Sequence, residues 1–422
     1  MIHPDREGRG DSRLPAARLE EAAGLALALD LEVRETMAVN LRKLTPATLF
    51  GKGKVEEIGG LVEDLDCQVV IIDDALTPVQ QRNLEKAWAA KVMDRTGLIL
   101  EIFARRARTR EGRLQVELAR LSYEKSRLVR TWTHLERQRG GMGVMGGPGE
   151  TQIETDRRLI ADKIRKLKLE LIEVRRTRTL QRASRKRVPF PTVALVGYTN
   201  AGKSTLFNRL TDSHVVAEDM LFATLDPTLR TLKLPDGRPA ILSDTVGFIS
   251  DLPHELVEAF RATLEEVKEA DVVLHVRDIA SEETNAQAQD VRTVLSRLGV
   301  NIEERRILEV WNKSDLLPAD RLPDLVHDAR RADPPAVLVS AVTGQGCEAL
   351  LATVANLVDE APPVDIYAPA GEGAAIAWLY RNGRVLERND GKDGSVRLAV
   401  SLSPQAMGQF EQMFPQAEMR GH

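Results

Sequence analysis

Lys203 and Ser204 close the stretch Gly197-Tyr198-Thr199-Asn200-Ala201-Gly202-Lys203-Ser204, whose spacing is G-x-x-x-x-G-K-[ST]. Glycines let backbone N–H groups approach a polyphosphate, and a helix beginning at that point adds positive potential. A lysine so placed reaches the β- and γ-phosphates, and the adjacent hydroxyl ligates Mg²⁺. The chemistry on offer is phosphoryl transfer from a nucleoside triphosphate. A chance glycine turn is the alternative. The setting disfavours it, because an apolar strand pattern (TVALV, residues 192–196) precedes the loop and a helical pattern follows.

Four more segments follow. In LFATLDPT, Thr224 offers a hydroxyl that completes a magnesium shell only while a γ-phosphate is present, which is what makes a switch. Alone it is a loop threonine; between its neighbours it gains a role. In ILSDTVG, Asp244 can hold Mg²⁺ through water and the Gly247 N–H can meet the γ-phosphate. In EVWNKSDLL, the Asp315 carboxylate can accept from both N1–H and the 2-amino group of guanine. Adenine has an acceptor at N1 and would leave that carboxylate unpaired. Asn312 would meet the other edge of the base, with the Lys313 stem over its face. In LVSAVTGQG, backbone groups at Ser340, Ala341 and Val342 can contact the guanine oxygen. Five segments in this order indicate a GTPase, with Lys203, Thr224 and Gly247 as its catalytic residues and Ser204 and Thr224 as its metal ligands.

Two details qualify the chemistry. Phe248 follows Gly247 where a Ras-type enzyme has the glutamine that orients water, so slow unaided hydrolysis and stimulation by a partner are expected. Asn200 either shapes the loop or helps bind a monovalent cation such as K⁺.

The elements that must position these residues alternate strand and helix patterns from residue 192 to 358, implying a largely parallel sheet flanked by helices. Residues 1–100 read as a small α/β domain, with residues 1–15 expected to be disordered. In FGKGKVEEI a glycine turn starts a helix without a complete phosphate loop. Residues 101–188 carry two heptad seams: Leu118, Leu121, Leu128, Trp132 and Leu135, then Ile153, Ile160, Ile164, Leu167, Leu171 and Val174. Joined by the glycine-rich residues 140–147, they should form an antiparallel helical hairpin. GGMGVMG matches a G-x-G-x-x-G fingerprint but follows a helix, so it is expected to be the hairpin tip. Residues 189–360 form the nucleotide domain, APPVDIYAPAGEG reads as a linker, and residues 361–422 read as a small α+β domain beginning with AAIAWLY as a strand. The expected fold class is multidomain α/β.

The net charge of −4 conceals a hairpin segment (residues 104–187) carrying 24 Lys/Arg against 10 Asp/Glu. So one-sided a segment favours RNA contact over a solvated spacer. No apolar run is long enough to span a bilayer, no signal peptide is visible, and Cys67 and Cys347 do not form a disulfide framework, so a cytoplasmic protein is expected. With the heptads used internally, a monomer is expected. A signalling GTPase whose hairpin binds a protein, and a GTP-dependent RNA-remodelling or modification factor, remain alternatives.

The whole set, including GPGETQIETDRR ahead of the nucleotide domain and FATLDPT as first switch, resembles the HflX family of translation-factor-related GTPases over nearly the full chain. The resemblance implies a GTPase that binds the large ribosomal subunit and its rRNA and splits or rescues stalled or idle ribosomes under stress. It implies a GTP/GDP site comprising Gly197, Tyr198, Thr199, Asn200, Ala201, Gly202, Lys203, Ser204, Phe222, Ala223, Thr224, Leu225, Asp226, Asp244, Thr245, Val246, Gly247, Asn312, Lys313, Ser314, Asp315, Ser340, Ala341 and Val342, with Mg²⁺ on Ser204 and Thr224. It also links the N-terminal part to ATP, for which FGKGKVEEI is the sole sequence feature on offer.

Overall fold

The computed structural model describes the chain apart from residues 7–13, 139–147, 186–189, 212–220, 252–265, 298, 301–305, 359–363, 392, 403 and 421–422. The glycine-rich residues 140–147 thus lie outside the described residues, as do the side chains of Leu128, Trp132, Leu135 and Ile153.

The N-terminal domain runs β1 (Ile2–Arg6), α1 (Pro15–Leu27), β2 (Met37–Leu41), α2 (Lys52–Asp64), β3 (Val69–Ile72), α3 (Pro78–Trp88), β4 (Lys91–Asp94) and α4 (Arg95–Arg106). Its strands form a parallel sheet in the order β2-β1-β3-β4. β1 corrects the expectation of a disordered start. IHPDR is short and polar, but five residues of pairing with β2 satisfy its backbone, and Ile2, His3 and Pro4 are buried. The glycine turn of FGKGKVEEI opens α2, with Gly51 as N-cap, and α3 opens on a capping box between Thr77 and Gln80.

Helices α5 (Arg110–Gln138) and α6 (Pro148–Arg185) form the hairpin. Leu118, Leu167 and Leu171 are buried together, with Leu114, Leu121 and Ile164 packed around them. That contact is the expected meeting of two heptad seams.

The third unit contains β5 (Thr192–Gly197), α7 (Lys203–Thr211), β6 (Thr228–Lys233), β7 (Pro239–Asp244), β8 (Val272–Asp278), α8 (Thr284–Arg297), β9 (Arg306–Asn312), α9 (Leu322–Arg331), β10 (Ala336–Leu338) and α10 (Cys347–Val358). The sheet order is β10-β9-β8-β5-β7-β6, parallel except for β6 against β7. β5 and β8 sit in the middle and are covered on both faces, which is why each reads as an almost unbroken apolar run.

The last unit is β11 (Val364–Ala368), α11 (Gly373–Asn382), β12 (Arg384–Asp390), β13 (Val396–Ser401), α12 (Pro404–Met413) and β14 (Glu418–Arg420), an antiparallel sheet ordered β12-β13-β11-β14. Two readings are corrected here. AAIAWLY is helical, because Ala375 and Leu379, four residues apart, bury one helical face. Residues 364–368, read as linker, are a central strand that buries Val364, Ile366 and Ala368 alternately.

The N-terminal and nucleotide domains share one core. Leu25, Leu98, Ile102 and Phe103 cluster with Phe222, Leu225, Val246 and Phe248. The chain's order of domains is therefore also a packing order, with the nucleotide loops pressed against α1 and α4. No helix among the described residues is long and apolar enough to cross a membrane.

Candidate nucleotide site

The phosphate loop leaves the end of β5 and enters α7 at Lys203, so the unsatisfied N–H groups of the first helical turn face the loop. Two glycines make the turn possible. A Cβ on Gly197 would lie 2.2 Å from the Val276 carbonyl oxygen, and one on Gly202 (φ +88°) 2.2 Å from Asn312 Nδ2. Asn200 has φ +59°, a left-handed conformation that asparagine tolerates well, so the backbone accounts for the residue type there.

Lys203 is buried, and its Nζ donates to the Tyr198 carbonyl at 2.7 Å. Burial lowers its pKa to about 8, against the opposing pull of Asp244. Burial likewise pushes the Asp244 carboxyl up, while Lys203, Ser204, Thr224 and the Thr245 backbone pull it down. Desolvation dominates both groups, so a polyphosphate and its cation would restore charge that the protein alone leaves poorly solvated.

The magnesium candidates converge. Ser204 Oγ lies 2.9 Å from Thr224 Oγ1 and donates to Asp244 Oδ2 at 2.7 Å, while Thr224 Oγ1 donates to the same oxygen at 3.0 Å. Asp244 Oδ1 is buried with no hydrogen-bond partner. Hydroxyl and carboxylate oxygens with one orphaned acceptor are the donor set of a hard, partly hydrated cation, so these residues fit Mg²⁺. Ser204 and Thr224 line a cavity of about 50 Å³ together with Thr199, Asn200, Gly202, Lys203, Ala223, Thr245 and Gly247, and Asp244 is buried behind them.

At the base end, Asn312 is buried and ties two loops together. Its Nδ2 donates to the Ala201 carbonyl at 2.9 Å, and its Oδ1 accepts from the Ala341 N–H at 3.0 Å. Lys313 sits at φ +67° and pairs with Asp278 at 2.8 Å. Asp315 is exposed on a 3₁₀ turn (Ser314–Leu316), free to meet a ligand; Ser314 is buried beneath it. Ser340 and Ala341 are buried and Val342 exposed, with the Ala341 and Val342 carbonyls held by Arg209. Sequence reading missed Asp278 and Arg209. Each acts through a partner distant in sequence, and no local pattern marks either.

Not every implied site residue faces this cavity with its side chain. Phe222 lines it but also packs edge-on against Phe103, with ring centroids 4.8 Å apart. Leu225 and Val246 are in the shared core. The Tyr198 hydroxyl bonds to Glu21 of α1 and accepts from the Ser250 N–H at 2.9 Å. The Asp226 carboxylate accepts from the start of α5. Phe248 is also buried in the core, at the end of the Asp244–Gly247 segment, the candidate second switch. Thr199 N–H donates to its carbonyl at 2.7 Å and its own N–H to the Gly197 carbonyl at 3.1 Å.

A buried polar network backs these loops. Arg95 bonds Glu21, Asp73 (2.5 Å) and Ser250 Oγ (3.0 Å), Arg18 bonds Ser250 Oγ and Asp251 at 2.9 Å each, and His3 lies 2.9 Å from Asp73. Burial would raise the Asp73 carboxyl, but Arg95 and His3 hold it down to about 2. Removing one member would leave a buried charge unpaired. The network ties Tyr198 and Ser250 to α1 and α4. His275, a lone histidine in sequence, is a buried neutral strand residue: desolvation lowers its pKa to about 4 despite Glu309 nearby. A separate cavity of about 320 Å³ in the N-terminal domain is lined by Ile58, Leu61 and Val62 of α2 and by its C-cap Leu65, but not by the glycine turn that opens that helix.

Comparison with known proteins finds relatives along most of the chain. Four family models match in succession: GTP-binding GTPase N-terminal over residues 16–104, GTP-binding GTPase Middle Region over 106–185, 50S ribosome-binding GTPase over 192–313 and HflX C-terminal domain over 324–420. GTPase HflX of Magnetococcus marinus is 52% identical over 394 residues, covering 93% of this chain and 90% of that protein. GTPase HflX of Escherichia coli is 44% identical over 385 residues, covering 91% and 89%. Among solved structures, a GTP-binding protein from Sulfolobus solfataricus in complex with GDP aligns with TM-score 0.45 and 25% identity, over 85% of this chain and 99% of that one.

Proposed function

The chain belongs to the HflX family of GTPases, it binds guanine nucleotides and hydrolyses GTP, and from that premise we propose that it is a GTP-switched factor of the large ribosomal subunit. In this reading it acts in the cytoplasm, and its nucleotide state sets its affinity for the subunit and drives the splitting or rescue of stalled ribosomes. The observation that carries the ribosome part is the cationic hairpin. Arg157, Arg158, Lys163, Arg165, Lys166, Lys168 and Arg176 are exposed on α6, on an arm rooted beside the nucleotide loops. A surface of this charge suits the phosphates of rRNA.

Ser204, Thr224 and Asp244 are the residues that would hold Mg²⁺, which supplies neutralisation of charge on the β- and γ-phosphates. Lys203 binds those phosphates and Asp315 selects guanine. The backbone N–H of Gly247 orients the γ-phosphate. Phe248 cannot hold a water, so the isolated protein hydrolyses slowly and the subunit completes the site by ordering the switches or positioning water.

Salt separates this from a protein-binding arm. Co-sedimentation with purified large subunits, with the protein loaded with a non-hydrolysable GTP analogue, should weaken by about a hundredfold between 50 and 200 mM salt, as about four neutralised phosphates require. GDP loading should give weaker binding throughout. Salt-insensitive binding would move the reading to a protein partner, and no binding in either state would end it.

A further inference from the structure

Asp226 lies two residues beyond Thr224, yet its carboxylate points at the hairpin. It accepts from the backbone N–H groups of Arg108 and Thr109 at 2.9 Å each and from the Thr109 hydroxyl at 2.5 Å. The Thr109 hydroxyl in turn accepts from the Gly112 N–H at 2.9 Å, which makes Thr109 the cap of α5. The first turn of the hairpin is therefore capped jointly by its own threonine and by a carboxylate from the first switch, a placement that the positive end of the helix favours. The close approach depends on Gly112, where a Cβ would lie 2.5 Å from Asp226 Oδ1.

The segment is tied down at its other end too. Phe222 packs edge-on against Phe103 of α4, and Leu221 packs on Gly24 of α1, where an added Cβ would stand 3.2 Å from Leu221 Cδ1. Between these anchors sits Thr224, bonded to Ser204 and Asp244. Three residues, Thr224 to Asp226, thus join the candidate cation site to the root of the cationic arm with little slack.

We propose that Asp226 is the positioning residue that transmits the nucleotide state to the hairpin, by making the capping of α5 depend on where Thr224 is held. This rests on the reading of Thr224 as the γ-phosphate sensor. When Thr224 turns to a nucleotide-bound cation, Asp226 moves with it and the first turn of α5 gains or loses its second cap. By linkage, a partner that fixes the hairpin changes the affinity for GTP over GDP by the same factor.

Amide hydrogen exchange on the full-length protein tests this without a ribosome. In the native protein, exchange across residues 108–113 should differ about tenfold or more between the GDP-bound form and the form bound to a non-hydrolysable GTP analogue, the change that gain or loss of one cap gives. Thr109→Val removes the hydroxyl link in a protein that still binds guanine nucleotides, and should flatten that difference. Asp226→Ala, which removes both carboxylate acceptors, should flatten it as well. A merely structural cap would raise exchange equally in both states. The proposal is overturned if the native protein shows no nucleotide-dependent difference at these amides, or if the difference survives both substitutions. Nucleotide affinity, measured alongside, keeps the outcomes distinct: failure to bind the analogue at all would instead count against the assigned GTP site.

Discussion

Asp315→Asn weakens GTP binding by about 30- to 1,000-fold, the cost of about 2–4 kcal/mol for losing charge-assisted acceptance from two guanine donors. The same substitution gains affinity for xanthosine triphosphate. Xanthine keeps N1–H but replaces the 2-amino group with an oxygen, so the new amide accepts from one and donates to the other. The structure makes this a clean substitution. Asp315 is exposed on its 3₁₀ turn, whereas the buried Asn312 holds Ala201 and Ala341 in place and would report on loop collapse instead. Competition binding with fluorescent guanine and xanthine nucleotides reads both arms. Unchanged GTP affinity would show that the carboxylate does not meet the base.

Gly247→Ala is expected to reduce GTP hydrolysis by about a hundredfold, comparable to the loss of one donor aimed at the developing charge. A Cβ there would lie 2.9 Å from Thr199 Cγ2, 3.0 Å from Thr199 Cα and 3.1 Å from Lys203 Nζ. Two of those atoms belong to Thr199, which cannot yield easily, because its N–H and the Gly197 carbonyl are hydrogen-bonded to the backbone of Phe248, the residue after Gly247. The methyl group therefore lifts the second switch away from the γ-phosphate. GDP affinity, which does not need that contact, should stay within about fivefold. Single-turnover rates at saturating GTP check the first part and equilibrium titration the second; a rate within about twofold of the native protein would remove Gly247 from the catalytic residues.

Much of this site was legible because its chemistry is local. A phosphate loop needs glycines at set positions before a helix, and a guanine pocket needs an acceptor for two adjacent donors, so types and spacing declare both. The hairpin was legible for a similar reason: Leu118, Leu167 and Leu171 repeat along a helix before they meet across it. What escaped notice is held by distant partners. β1 is a strand because β2 and β3 flank it, and IHPDR taken alone carries little strand signal. AAIAWLY has no clear period, so only the packing of Ala375 and Leu379 decides for a helix. The links from Tyr198 to Glu21 and from Asp226 to Thr109 cross between domains, and each residue looks ordinary in its own stretch. Asp226 read as one more member of a nucleotide loop, while the fold gives it to the hairpin.

These cross-domain links also explain why a GTPase lacking a water-orienting glutamine need not be a poor one in its proper setting. The first switch is fastened to the arm, and the second, through Ser250, to α1 and α4. A partner gripping the arm and the N-terminal domain therefore holds both switches. The most direct measurement is single-turnover hydrolysis of GTP by the full-length protein, with and without purified large ribosomal subunits. We expect the subunits to raise the rate by about a hundredfold or more, the scale of ordering one catalytic group. Equal rates would contradict a subunit-completed site and, with it, the proposed function.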